Sequence, residues 1–171
     1  LKIENPKILE FGVRHGISTS LFLDVCNQKN GNLYSVDVED YSYKFKDKKW
    51  KFIYSKDNDF DKVESEVPSQ FDVIFLDTIH KAEHVSNIFF HYYNKLKVDG
   101  MFIIDDISWL PYIKNEYRDN SFNENINRKT FQKILEIYNQ NKENFLLEFF
   151  FEGSGLAIIT KKNNFLKKRK N

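Results

Sequence analysis

The chain has a single cysteine, Cys26, and no long apolar run. One thiol cannot close an internal disulfide, and this one lies in an apolar-periodic stretch, which suits a reducing, cytoplasmic setting. No stretch approaches the roughly 20 apolar residues that span a bilayer, and the opening "LKIENPK" has no signal-peptide character, so no membrane partner is expected. An excess of charge of one sign is also missing: 26 Lys and Arg against 25 Asp and Glu leave a formal net charge of +1. No overall field then draws the chain to nucleic acid, and partners have to be argued from a site. Internal repeats are absent. With 171 residues, 41% of them hydrophobic, the chain is long enough for a real core, and one domain spanning 1–171 is the expectation. It opens on Leu1 rather than Met and the first strand pattern follows almost at once, so an N-terminal lid could lie outside it.

Short β-rich runs alternate with longer mixed segments. "KILEF" (7–11), "NLYSVD" (32–37), "KFIYS" (51–55), "FDVIFLD" (71–77) and "GMFIID" (100–105) read as strands, while 17–29, 58–66 and 81–96 carry apolar residues at helical spacing. That alternation predicts an α/β fold with a parallel sheet covered on both faces and right-handed connections. The lysine-rich stretch 38–50 is not expected to be helical. The polar, Asn-rich stretch 108–128 reads as a long substrate-side loop, followed by a helix near 129–140. Two β-rich runs within 144–162, around Gly153-Ser154-Gly155, predict a hairpin, and 163–171 reads as a basic, frayed tail. "IFFHYY" (88–93) reads as buried helix whose amphipathic edge could serve as a homodimer face.

In an open parallel sheet, ligands sit beyond the carboxyl ends of the strands. "EFGVRHGIST" (10–19) occupies that place after the first strand. Gly12 and Gly16 are expected to let a ligand approach the backbone, and the helix opening near Ser18 and Thr19 to offer N–H groups to an anion. Glu10 adds a charge for an ammonium or a water, which suits a ligand with an amino-acid head. Arg14 stands where the dinucleotide fingerprint G-x-G-x-x-G has its second glycine, which disfavours a nicotinamide cofactor. Asp37, ending the second strand, is placed to accept ribose hydroxyls. Asp57 and Asn58, after the third, are candidates for an adenine edge. Singly, each of these residues serves equally well as ordinary turn chemistry; their order along the chain favours a site.

Asp77 closes the fourth strand and Asp105-Asp106 the fifth. If those strands are neighbours, three carboxylates converge, and a hard divalent cation such as Mg²⁺ relieves their repulsion. Adjacent strand residues point to opposite faces, so Asp105 and Asp106 reach one ion together only if the strand bends there. His80 follows Asp77 by three residues, within reach of the same place as a general base. Trp109, Pro111 and Tyr112 stand at the mouth, either to stack on an acceptor or to anchor the loop. His84 and His91 lack metal spacing and read as packing or surface residues. His15, inside the glycine turn, fits either a cofactor contact or a solvent-facing turn residue.

"EFGVRHGIST", "SVD", "FDVIFLDTIH" and "VDGMFIIDDI" together resemble the class I S-adenosylmethionine-dependent methyltransferases, in the branch with E-x-G-x-x-x-G-x-S-T and D-x-x-H. The resemblance covers 7–106 and implies a Rossmann-like sheet of strand order 3-2-1-4-5-7-6 with an antiparallel last strand. It implies that Glu10, Gly12, Gly16, Ser18 and Thr19 face the methionyl part of S-adenosylmethionine and that Asp37 faces its ribose. In the metal-dependent sugar O-methyltransferases of this pattern, the matching acids, Asp77, Asp105 and Asp106, hold the ion and the matching His80 is the base. The branch often carries another acid where Ile79 stands, which leaves this site with less charge. The expected activity is O-methyl transfer to a hydroxyl of a sugar, or of another small-molecule vicinal diol. Rivals are a catechol-like phenol acceptor, a nucleotide-binding reductase, and a noncatalytic cofactor-binding module.

Overall fold

The computed structural model describes residues 3–167; positions 168–171 of the basic tail lie outside the described residues. Strands β1 (Lys7–Phe11), β2 (Asn32–Asp37), β3 (Trp50–Tyr54), β4 (Phe71–Leu76), β5 (Leu96–Asp105), β6 (Phe145–Phe150) and β7 (Leu156–Lys161) form one sheet. Its order is β3-β2-β1-β4-β5-β7-β6, parallel throughout except that β7 runs antiparallel to both β5 and β6. Helices α1 (Ile17–Lys29), α2 (Phe60–Glu66), α3 (Ala82–Tyr92) and α4 (Ser121–Asn141) fill the connections. This is the expected strand order and the expected closing hairpin.

The central strand β4, "FDVIFL", is buried along its whole length, as a strand covered on both faces must be. On one face Val85, Ile88, Phe89 and Tyr92 of α3 and Ile134 and Ile137 of α4 pack on Ile74, Leu76, Phe102 and Ile104. On the other, Leu23 and Cys26 of α1 pack on Ile8, Leu33 and Val73, helped by Phe45 from the segment after β2 and by Trp50 at the start of β3. "IFFHYY" therefore turns Ile88, Phe89, Tyr92 and Tyr93 into the core, as expected of a buried helix.

Two boundaries differ from expectation by more than two residues. Strand β5 starts at Leu96, because the turn 93–95 ends α3 early. Helix α4 starts at Ser121, so part of the Asn-rich stretch 108–128 is helix rather than loop. Asn120 is the reason: its side-chain oxygen accepts from the N–H groups of Phe122 and Asn123, capping the first turn. Arg128 then pairs with Glu124 one turn back at 2.7 Å. Asparagine favours such caps as readily as loops, which is why composition alone misplaced the start.

Lys161 is fully buried, and its ammonium is held by backbone carbonyls. Its Nζ donates to the carbonyl oxygens of Tyr93 (2.9 Å) and Leu96 (2.6 Å) and lies 4.7 Å from the centre of the Tyr93 ring. Those carbonyls mark the handover from α3 to β5, so the ammonium closes the backbone there. Lys161→Met fills the volume but leaves both carbonyls without that donor, and is expected to cost about 2 kcal/mol. A urea titration that finds the variant as stable as the wild type would refute this role.

Candidate active site

The tips of β1, β2, β4 and β5 open at one edge of the sheet. After β1 the chain turns through Gly12 (φ 97°) and Gly16 (φ 81°) into α1. A Cβ at Gly12 would lie 2.0 Å from the carbonyl oxygen of Asp77, and one at Gly16 would lie 2.9 Å from the Phe45 ring. Both glycines are thus required by the protein's own packing, as well as by positive φ. Room for a ligand, expected at both, is a property of Gly12 only: it lines the large cavity described below and Gly16 does not.

Glu10 lies underneath this turn, fully buried. Its carboxylate accepts hydrogen bonds from the hydroxyls of Ser18 (2.6 Å), Thr19 (2.8 Å) and Ser35 (2.6 Å). Ser35 in turn accepts from Trp50 Nε1 at 2.9 Å. The expected role of Glu10 as a receptor for a ligand's ammonium is therefore corrected: with Ser18 and Thr19 it ties β1 to the first turn of α1. None of the three lines the cavity. Burial pushes Glu10 up from the ordinary carboxylate range, against the three hydroxyl donors, and the charge of Asp77 adds to it.

The cavity, about 740 Å³, is walled by Gly12, Arg14, His15, Asp37, Asp57 and Ile79 among others. Asp37 accepts from the backbone N–H groups of Val13 (2.8 Å) and Arg14 (3.3 Å) on Oδ2, and from that of Glu39 (3.0 Å) on Oδ1. It pins the glycine turn to the end of β2 while still facing the cavity. Asp57 also reaches the wall, but its Oδ2 accepts from Thr78 Oγ1 at 2.5 Å and lies 2.7 Å from His84 Nε2. That atom is committed inside the protein, which weakens the expected adenine contact. His91, 2.6 Å from Glu64 and stacked on Phe60, is a packing residue, as is His84.

Beyond Ile79 the acids and His80 meet. Among the described residues, ligand atoms of Asp77, His80 and Asp106 all lie within 4.8 Å of one another. His80 Nε2 is 3.0 Å from Asp106 Oδ2 and 3.8 Å from Asp77 Oδ1. Asp106 arrives there because it has φ 56°, a left-handed conformation that a non-glycine residue rarely adopts, so the chain bends as β5 ends. Asp105, expected in the same cluster, is not part of it: its Oδ1 accepts from the Asp106 N–H (2.7 Å) and from Ser154 Oγ (3.2 Å). Strand alternation keeps it to one side, and it serves to hold the bend. Burial first, and then the Asp105 charge, push Asp77 up to about 6; Asp106 adds to this, while His80 and Arg14 oppose it.

Helix α4 braces both loops that carry these groups. Buried Asn127 donates to the carbonyl oxygen of Ser108 at 2.9 Å, and the Thr130 hydroxyl donates to that of His80. Neither residue stands out in the sequence; their helical spacing from Ile134 and Ile137 is the one signal that could have found them. A second recess, about 230 Å³, opens beside His80 and Asp106, lined also by Tyr112, Phe122, Asn123 and Ile126. Tyr112 thus reaches a cavity. Trp109 anchors the loop instead, its ring 4.8 Å from Phe131 with Arg128 5.0 Å above it.

A family profile described as a methyltransferase domain matches residues 9–107. The chain belongs to this methyltransferase family. Its sheet is the class I methyltransferase sheet. MycE, a methyltransferase of the mycinamycin biosynthetic pathway solved with Mg and SAH, superimposes with a TM-score of 0.68 at 19% identity, over 94% of this chain and 46% of MycE. SAH-bound PaMTH1 from Podospora anserina gives 0.70 at 13% identity over 92% of this chain and 72% of its own. A Staphylococcus aureus protein assigned as a caffeoyl-CoA O-methyltransferase gives 0.69 at 20%, over 91% and 76%. These likenesses speak for the fold of the methyltransferase domain, which spans about half the length of MycE. No curated protein sequence matches it. Among the described residues, no helix is long and apolar enough to cross a membrane.

The buried Glu10 gives a signed pH dependence. Its raised value means that the stability contributed by the protonated form is complete below the unfolded Glu value, about 4.3, and is lost as pH rises through the folded value. Glu10→Gln removes that loss, so its stability relative to wild type should improve from pH 4 to pH 8 in denaturant titrations. A difference that stays flat with pH, or runs the other way, overturns the assignment. Glu10→Ala, which strips three hydroxyls of their acceptor, is expected to lose about 3 kcal/mol near pH 4 and less as pH rises, because it too lacks the titrating carboxyl.

Proposed function

We propose that this domain transfers a methyl group from S-adenosylmethionine to a hydroxyl of a sugar or other vicinal diol, with the help of a divalent cation such as Mg²⁺. The observation that carries the proposal is the convergence of Asp77, His80 and Asp106 where the large cavity, through Asp77 and Ile79, meets the recess lined by His80 and Asp106. The larger cavity suits the cofactor: a carboxylate, Asp37, stands at the tip of β2 for a ribose, and Arg14 and His15 border the glycine turn. Gly12 keeps that wall low. Gly16, Glu10, Ser18 and Thr19 act behind it, by fixing the turn.

The donor set fits a hard cation. Asp77 and Asp106 offer carboxylate oxygens, and Asp105 adds negative charge close by. When bound, such an ion supplies Lewis acidity that lowers the pKa of a coordinated hydroxyl. The protein's own part is to orient and to move a proton. His80, which lines the recess, takes the acceptor's proton there, and Asp106, 3.0 Å from its Nε2, stabilises the imidazolium that results. Thr130, holding the His80 carbonyl, and Asp105, holding the Asp106 N–H, keep the pair in register. S-adenosylmethionine supplies the electrophilic methyl, and S-adenosylhomocysteine is the product. Alignment of the two reactants provides the rest of the rate.

The proposal is tested by calorimetry and methyl-transfer assays. S-adenosylhomocysteine is expected to bind, and NAD(H) is not; the reverse would favour a reductase. His80→Ala should lower kcat by about 10²- to 10⁴-fold with S-adenosylhomocysteine affinity kept. Asp77→Asn and Asp106→Asn should each weaken Mg²⁺ binding, and EDTA should abolish transfer. Undiminished metal-dependent transfer in His80→Ala would instead favour an acidic, catechol-like acceptor. Tight cofactor binding without turnover on any diol would leave a noncatalytic binding module.

A further inference from the structure

The recess beside His80 and Asp106, about 230 Å³, is smaller than the roughly 300–1,000 Å³ of sites that enclose a whole small molecule. It shares two walls, Tyr112 and Asn123, with a larger and more open recess of about 560 Å³ that also contains Glu116, Tyr117, Arg118 and Asp119. A ligand seated against His80 and wider than one ring extends past Tyr112 into that space. The segment after β5 and the capped start of α4 form its sides.

We infer that this outer recess binds an uncharged sugar unit joined to the one that is methylated, so that the acceptor is a disaccharide or longer glycan rather than a free monosaccharide. The inference rests on the acceptor reading proposed above. Its chemistry comes from the walls. Tyr117 is 93% exposed and offers an aromatic face, which suits the C–H face of a pyranose. Around it stand the donors and acceptors that ring hydroxyls need: the Arg118 guanidinium, the Asn123 amide, and the carboxylates of Glu116 and Asp119. Arg118 is held in place, donating from Nη1 to the Tyr112 hydroxyl at 3.2 Å. Asp119 is held by the backbone N–H of Asn115 at 3.2 Å. One guanidinium between two carboxylates argues against a charged ligand: an anion would meet Glu116 and Asp119, and a cation would meet Arg118. Asn123, lining both recesses, is the polar group at the junction between the two units.

The experiment compares kcat/KM for methyl transfer from S-adenosylmethionine to a panel of methyl glycosides. Each neutral monosaccharide is paired with the neutral disaccharide that carries it at its end. Wild type is expected to prefer the disaccharide by about tenfold or more. The ratio of the two values should fall toward one in Tyr117→Ala and drop several-fold in Arg118→Gln. Both side chains are on the surface, and matching melting curves confirm that the variants fold. Equal kcat/KM for the two classes in wild type, or a preference that survives both substitutions, overturns the inference and leaves the acceptor reading standing. Preference for a disaccharide whose outer unit is a uronate overturns the charge assignment. Transfer to neither class, while S-adenosylhomocysteine still binds, overturns the acceptor reading and this inference with it.

Discussion

The placement of β4 between β1 and β5, all three parallel, is the constraint from which the site follows. Parallel strands run in the same direction, so their carboxyl ends lie at one edge of the sheet, neighbouring strands about 4.8 Å apart. Glu10 and Gly12 at the first tip, Asp77 at the second and Asp105-Asp106 at the third become neighbours by that fact alone. Asp77 donates its backbone N–H to the carbonyl oxygen of Phe11 at 2.9 Å, and its own carbonyl leaves no room for a side chain at Gly12. The first glycine and the first acid of the cluster are thus parts of one contact.

Around this edge the protein places its polar groups in two layers. The inner layer bonds the protein: Glu10 with three hydroxyls, Asp57 with Thr78 and His84 while also reaching the cavity wall, and Asp105 with Ser154 and the next N–H. Each holds a turn through these bonds. The outer layer, Asp37, Asp77, His80 and Asp106, has atoms left facing cavities. Most of the acids named from the sequence as ligand-binding divide between these layers. Residue type does not separate them, because a carboxylate at a strand tip can face either way.

Two of the positive-φ non-glycine residues support the outer layer. Asp106 at φ 56° and Arg14 at φ 43° sit where non-glycine residues rarely go, one beside the proposed cation site and one in the glycine turn. The first is over-determined by the Asp105 carboxylate, the second by Asp37 accepting the Arg14 N–H. From the other side, α4 holds the loops after β4 and β5 through Thr130 and Asn127. A rigid frame of this kind suits chemistry that depends on orientation more than on a reactive side chain.

The strands, the first three helices, the closing hairpin and the convergence of β4 and β5 could be read from the sequence, because they rest on local periodicity and turn chemistry, and parallel strands then leave few topologies. The start of α4 could not, since Asn120 as a cap and Asn as a loop residue look alike until the capped N–H groups are seen. Nor could the split between Asp105 and Asp106, or the turn of Glu10 into the interior. Those depend on one backbone angle and on hydroxyls 8 to 25 residues distant in the chain. Sequence by itself determined which residues reach the edge of the sheet; only the tertiary structure decided which way each side chain faces, because that is set by packing partners that local pattern does not encode.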